Sequence, residues 1–144
     1  MTHQSKFHIE GRPHLDTPYH YATAGLSDIY LLNGVELKND PDCGEVTHIE
    51  DCGDLQYAIG LSIIENPEPM TGKEFQFLRK QMMLTEAELA RHMRVSEQVI
   101  DEYETGKTRL AAADPHMRIL YLLHTSTPDS RAGHFKTFVR DLAE

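Results

Sequence analysis

Apolar residues in the second half of the chain recur every three or four positions, whereas in the first half they come in short aromatic and branched clusters. The change falls at Glu65-Asn66-Pro67-Glu68-Pro69-Met70, where each proline removes an amide donor and restrains the residue before it, predicting a linker or sharp turn. Beyond it, Thr71 and Glu74 stand at capping-box spacing, and Phe75, Leu78 and Met82 share one helical face. Thr85 with Glu88 repeats the box, Ser96 stands where a following helix needs its N-cap, and Gly106 closes that helix with a residue free to turn left-handed. Asp114-Pro115 reads as a cap with proline at the first helical position, followed by Met117, Leu120, Tyr121 and His124 at the same period. After Thr127-Pro128, the stripe Phe135, Phe138, Val139 and Leu142 predicts a C-terminal helix that needs a partner surface, either its own domain or a dimer seam.

Upstream, Tyr19-His20-Tyr21-Ala22-Thr23 and Asp28-Ile29-Tyr30-Leu31-Leu32 predict strands. Asn33-Gly34 is a hairpin-turn dipeptide with Val35-Glu36-Leu37 returning, and Val46-Thr47-His48-Ile49 alternates like a further strand. Leu55, Ala58, Ile59, Ser62 and Ile63 predict a helix running into the proline segment. The fold class is therefore α+β: an arm over 1–18, a small acidic α+β domain over 19–69, and a helical domain over 70–144 that ends in the C-terminal helix.

Charge sharpens that division. The chain of 144 residues carries a formal −9 at pH 7. Residues 1–70 hold three bases, Lys6, Arg12 and Lys38, against twelve acids, while residues 71–124 hold eight of each. Such an acidic chain is repelled by DNA as a whole, so any DNA contact belongs to the balanced second half. The longest apolar runs fall far short of the ~20 residues of a membrane span, and Met1-Thr2-His3-Gln4-Ser5-Lys6 lacks the apolar core of a signal peptide. Cytoplasmic location and no membrane partner are the expectation, in keeping with only two cysteines, Cys43 and Cys52. Cys43, His48 and Cys52, with His14 and His20, are zinc-ligand types, but their spacing matches no compact paired-ligand pattern, so neither metal nor cofactor is expected. No glycine-rich phosphate loop, nucleophile elbow or His-Glu-x-x-His helix is present, and enzymatic activity is not expected.

Two short capped helices joined by a tight turn and followed by the basic loop Gly106-Lys107-Thr108-Arg109 have the layout of a helix-turn-helix DNA reader. Leu89, Ala90, Val95, Ile100 and Tyr103 are the expected buried positions, with Ala90 small where two helices cross. Glu97, Gln98, Val99, Asp101 and Glu102 fall on the opposite face. Gln98 is the foremost base-reading candidate, because its amide both donates and accepts as adenine requires in the major groove, and Val99 is placed for a thymine methyl. Thr85 and Ser96, at helix N-termini, suit phosphates, and Lys107 and Arg109 add positive charge beside the backbone.

Residues 75–110 resemble the phage-repressor, or XRE-type, five-helix DNA-binding domain, through Leu84-Thr85-Glu86-Ala87-Glu88-Leu89-Ala90, Ile100, Glu104 and Gly106-Lys107-Thr108. The longer stretch that adds Gly25-Leu26-Ser27-Asp28-Ile29-Tyr30-Leu31-Leu32-Asn33-Gly34 and 71–80 is more weakly similar to MqsA-type antitoxins, whose paired Cys-x-x-Cys zinc ligands are missing here. The repressor resemblance implies that Glu104 faces inward to pair with Arg79. It also places Glu86 where the family often has glutamine, and Arg94 where it has the turn glycine, at a cost of roughly 1–2 kcal/mol for a left-handed L-residue. Arg94 there is also within reach of DNA, and Asp101 or Glu102 is placed to accept from a cytosine amino group. The function expected is a sequence-specific, homodimeric regulator of double-stranded DNA, a repressor or antitoxin-like autoregulator. The alternative is a protein-interaction module whose acidic half neutralises a basic partner such as a toxin, its helical half being only a dimerising hairpin.

Overall fold

The computed structural model describes residues 4–126 and 138–141, and these described residues form five helices and six strands in a mixed α+β structure. The described residues divide into two compact units, 4–59 with 138–141, and 60–126.

In the first unit, β1 (Ser5–Ile9), β2 (Tyr19–His20), β3 (Ile29–Leu31) and β6 (Phe138–Arg140) form a sheet in the order β2-β3-β1-β6. β1 runs parallel to β3, with Phe7 opposite Leu31, and antiparallel to β6, with Ile9 opposite Phe138. A second, two-stranded sheet pairs β4 (Val35–Asp40) with β5 (Gly44–Ile49). Helix α1 (Cys52–Glu65) follows, and Leu55 and Ile59 are buried with Phe7, Leu31 and Phe138.

Three expectations are corrected here. Ser5–Ile9 is a strand with Phe7 fully buried, not part of an arm, because alternation brings Phe7 and Ile9 to the core face. Asn33-Gly34 does not turn a hairpin between β3 and its successor: the buried Asn33 amide accepts from Ile9 N–H at 2.7 Å and donates to Ile9 C=O at 3.1 Å. Gly34, at φ +79°, then turns the chain out of the sheet, in a place where a Cβ would lie 2.8 Å from the Phe138 ring. Val35 accordingly pairs with Ile49. Finally, Phe138 and Val139 belong to a strand and not to a C-terminal helix, since the β1 edge offers ladder bonds and the Asp54 carboxylate accepts from Phe138 N–H at 2.5 Å. Thr127, Pro128, Phe135 and Leu142 lie outside the described residues.

The second unit holds the end of α1 with α2 (Gly72–Gln81), α3 (Glu86–Met93), α4 (Glu97–Thr105) and α5 (Ala113–Thr125). Its core includes Phe75, Leu78, Leu89, Ile100, Met117 and Tyr121. Gly60 admits the Tyr121 hydroxyl, which would lie 2.2 Å from an added Cβ, and Gly72 lets α2 begin close to the Tyr103 carbonyl oxygen, which would lie 2.4 Å from an added Cβ. The division between units falls inside α1 and not at the proline segment, because the Arg118 guanidinium donates to the carbonyls of Ile63, Ile64, Asn66 and Glu68. Asp114 is not the cap of α5, which starts at Ala113 without a side-chain cap. Its carboxylate accepts instead from Met70 N–H at 2.9 Å and Arg118 Nε at 2.6 Å. Burial alone would raise the Asp114 pKa, but these two donors outweigh it and hold the group below the ordinary aspartate value.

Candidate functional site

Both capping boxes form as the spacing predicts. Thr71 accepts from Glu74 N–H and Thr85 from Glu88 N–H, each at 3.1 Å, and each glutamate accepts in return from the cap's own N–H at 2.9 Å. Ser96 Oγ accepts from Val99 N–H at 3.3 Å and starts α4. The turn between α3 and α4 is shaped by Arg94 at φ 58°, ψ 43°. Its N–H reaches the Arg91 carbonyl at 3.4 Å, while the Val95 N–H reaches that of Ala90 at 3.0 Å, a Schellman closure built on a non-glycine residue. Gly106, at φ 81°, closes α4 the same way, with Lys107 N–H on the Glu102 carbonyl at 2.9 Å.

Beneath the turn, Leu89, Ala90 and Ile100 are buried, whereas Val95 and Tyr103, expected in the core, are half-buried. Tyr103 meets Phe75 edge-on, with ring centroids 5.6 Å apart. Arg79 grips Glu104 through two bonds, Nε to Oε2 at 2.5 Å and Nη2 to Oε1 at 3.1 Å, and both residues are buried. Gln76 Nε2 donates to the same carboxylate at 3.2 Å, and Arg79 Nη1 donates to the Leu84 carbonyl at 2.9 Å. The bond to Glu104 raises the Arg79 pKa further, so the cation is permanent. This network joins α2, the α2–α3 turn and the last turn of α4.

Of the candidate contact residues, Thr85, Arg94, Ser96, Glu97, Gln98, Asp101, Lys107 and Arg109 are exposed, and Val99 and Glu102 are half-buried. Gln98 Nε2 lies 3.4 Å from Glu102 Oε2, and Glu102 Oε1 accepts from Thr108 Oγ1 at 3.2 Å. Glu102 therefore organises the loop after α4 as well as lining the outer face. Neither that role nor the part of Gln76 is evident from helical spacing alone, since both depend on where a loop or a second helix passes. Glu86 is half-buried beside the same face. Burial, followed by the neighbouring charges of Glu104, Asp101 and Glu97, raises its pKa against the opposing pull of Arg79. Glu97, Asp101 and Glu102 make the outer side of α4 acidic, and the exposed Arg94 precedes that helix while the exposed Lys107 and Arg109 follow it.

Cys43 and Cys52 are exposed free thiols, and among the described residues no group of three or more His, Cys, Asp or Glu side chains is placed to hold a metal ion. No described helix is long and apolar enough to cross a membrane. No family model, curated relative or solved structure matches the chain.

Proposed function

We propose that the chain is a sequence-specific DNA-binding regulator of the helix-turn-helix type, with α3 lying against the DNA backbone and α4 in the major groove. The observation that carries this is the exposed Gln98 amide in the first turn of a helix whose own inner face is fixed by the buried Arg79–Glu104 pair. A base reader has to project from a rigid element, and the resemblance of 75–110 to the repressor domain points the same way. In this mechanism Gln98 offers its amide bidentately to adenine, and Val99 contacts a thymine methyl. Thr85 and Ser96 use their oxygens as caps and keep their hydroxyl protons to donate to phosphates. Arg94, Lys107 and Arg109 supply the salt-dependent part of the affinity. Glu97 and Asp101 oppose it, which keeps binding to random sequence weak and leaves discrimination to the base contacts. A homodimer would set two copies of α4 in successive major grooves about 34 Å apart, on a palindrome, as a repressor or an autoregulator of antitoxin type requires.

Selection of preferred duplexes from a random pool, followed by fluorescence anisotropy at several salt concentrations, tests this. Gln98→Ala is expected to lose about 1–3 kcal/mol on the preferred site and to even out base preference at one position. Lys107→Ala is expected to weaken every sequence alike and to flatten the log K against log salt slope by about 1. Uniform loss after Gln98→Ala takes that residue out of the reading role. Failure of the wild-type protein to bind any duplex at low salt ends the assignment.

A further inference from the structure

The β4–β5 hairpin is a separate sheet within the first unit, and every residue of its strands except Val35 and Ile49 is exposed. The register sorts its side chains onto two faces. Val35, Leu37 and Asn39 lie opposite Ile49, Thr47 and Glu45, while Glu36, Lys38 and Asp40 lie opposite His48, Val46 and Gly44. The first face is apolar through Val35, Leu37 and Ile49, and Leu37 is 61% exposed. Among the described residues neither outer edge pairs with another strand, so ladder N–H and C=O groups are open along both. A lone two-stranded hairpin is marginal in water, and a third strand is the simplest way to stabilise it.

Charge decides which strand. The hairpin carries four acids against a single lysine: Glu36 and Asp40 share a face with Lys38, which approaches Glu36 at 3.4 Å, Asp42 lies in the turn, and Glu45 lies on the Leu37 face. A second copy of the hairpin carries the same net negative charge and gains nothing from it, whereas a basic strand is drawn in. We infer that residues 35–49 are a docking surface for a basic, extended segment of another protein, which adds as a third strand. Its side chains alternate, cations over the Glu36 and Asp40 face and apolar groups over the Leu37 face, while main-chain bonds to the open edge supply affinity. No residue of α3 or α4 takes part, so this surface stands whether or not the DNA-reading proposal does.

The test uses the full chain and a short fluorescent peptide of alternating lysine and valine, with two controls: the same composition interrupted by a central proline, and glutamate in place of lysine. The alternating peptide is expected to bind and to slow amide exchange in residues 35–49. The proline peptide is expected to bind about tenfold more weakly and the glutamate peptide not at all. Leu37→Asp makes the hairpin more acidic, so it separates mere charge attraction from docking: loss of about tenfold supports the inference, and unchanged or tighter binding overturns it. Glu36→Lys keeps the strand's length and polarity and is expected to weaken the lysine peptide while admitting the glutamate one; indifference to that reversal overturns the inference. Protection of other acidic segments in place of 35–49 overturns it as well, as does concentration-dependent protection of 35–49 without peptide, which would make a second copy the occupant.

Discussion

Residues 85–109 and the hairpin of residues 35–49 differ in where their structure is decided. In the first, nearly every fixing bond is local: the Thr85 and Ser96 caps reach three residues on, and the Schellman turns at Arg94 and Gly106 close within one helical turn. The strands around the second are placed by single side chains acting across the chain, Asn33 on Ile9 at a separation of 24 residues and Asp54 on Phe138 at 84. Local determinants give a rigid helical pair able to carry a reading side chain. Long-range determinants leave one hairpin outside the main sheet, with its edges free for a partner. The comparison teaches that the two candidate surfaces differ in kind: one is preorganised and the other awaits completion.

The severest challenge to this contrast is the long-range ion pair that joins α2 to the last turn of α4. Glu104→Ala would leave the Arg79 cation buried with its main partner gone, and a loss of about 3–5 kcal/mol in unfolding free energy is expected by denaturant titration. Glu104→Gln keeps the shape and some of the bonds and should cost less. A loss below about 1 kcal/mol for the alanine variant would mean that water reaches the guanidinium and that the caps and core suffice without the pair. In that event residues 85–109 would be even more locally determined than the structure suggests.

A smaller effect probes the other side. Asn33→Ala strips the amide from Ile9, and leaving that buried backbone unpaired should cost about 1–3 kcal/mol. Amide exchange is expected to quicken in β1 and β3, with α2, α3 and α4 unchanged. Equal opening of those helices would break the comparison, because the two units would then unfold as one.

The same contrast explains what could be read in advance. The spans of α2 to α4, both capping boxes, the closure at Gly106 and the exposed position of Gln98 follow from residue types three or four places apart, which a linear sequence displays directly. The expected inward partner of Arg79 is also in place, although it came from the repressor resemblance and not from spacing. The strand at Val46 to Ile49 follows from alternation. By contrast, Asn33-Gly34 has the composition of a hairpin turn, and nothing nearby reveals that the asparagine is claimed by β1. Phe138 and Val139 fit a helical stripe as well as a strand, since so few positions cannot separate the two periods, and the deciding neighbour lies in β1. Asp114 looks like a cap until Arg118 and Met70 are brought to it by the fold.

The smallest expected effect tests local encoding at its weakest point. α2 closes on Met83, at φ 58°, with Leu84 N–H on the Arg79 carbonyl at 3.3 Å, just as α3 closes on Arg94. Two successive helices thus end on L-residues in the left-handed region, at about 1–2 kcal/mol each. Glycine relieves that strain but loosens the unfolded chain, so Met83→Gly and Arg94→Gly should each gain about 0.5–1 kcal/mol in stability by thermal unfolding. Met83 is 84% exposed and uncharged, whereas Arg94 is an exposed cation beside the outer face of α4. Only Arg94→Gly should therefore weaken duplex binding and lower its salt slope by about 1, uniformly over sequence. If both variants gain stability and neither changes DNA affinity, arginine at this turn has no electrostatic reason to be there and the phosphate contact falls. If Arg94→Gly alone binds more weakly, strain at the turn is retained because the side chain that causes it also reaches the backbone of the duplex.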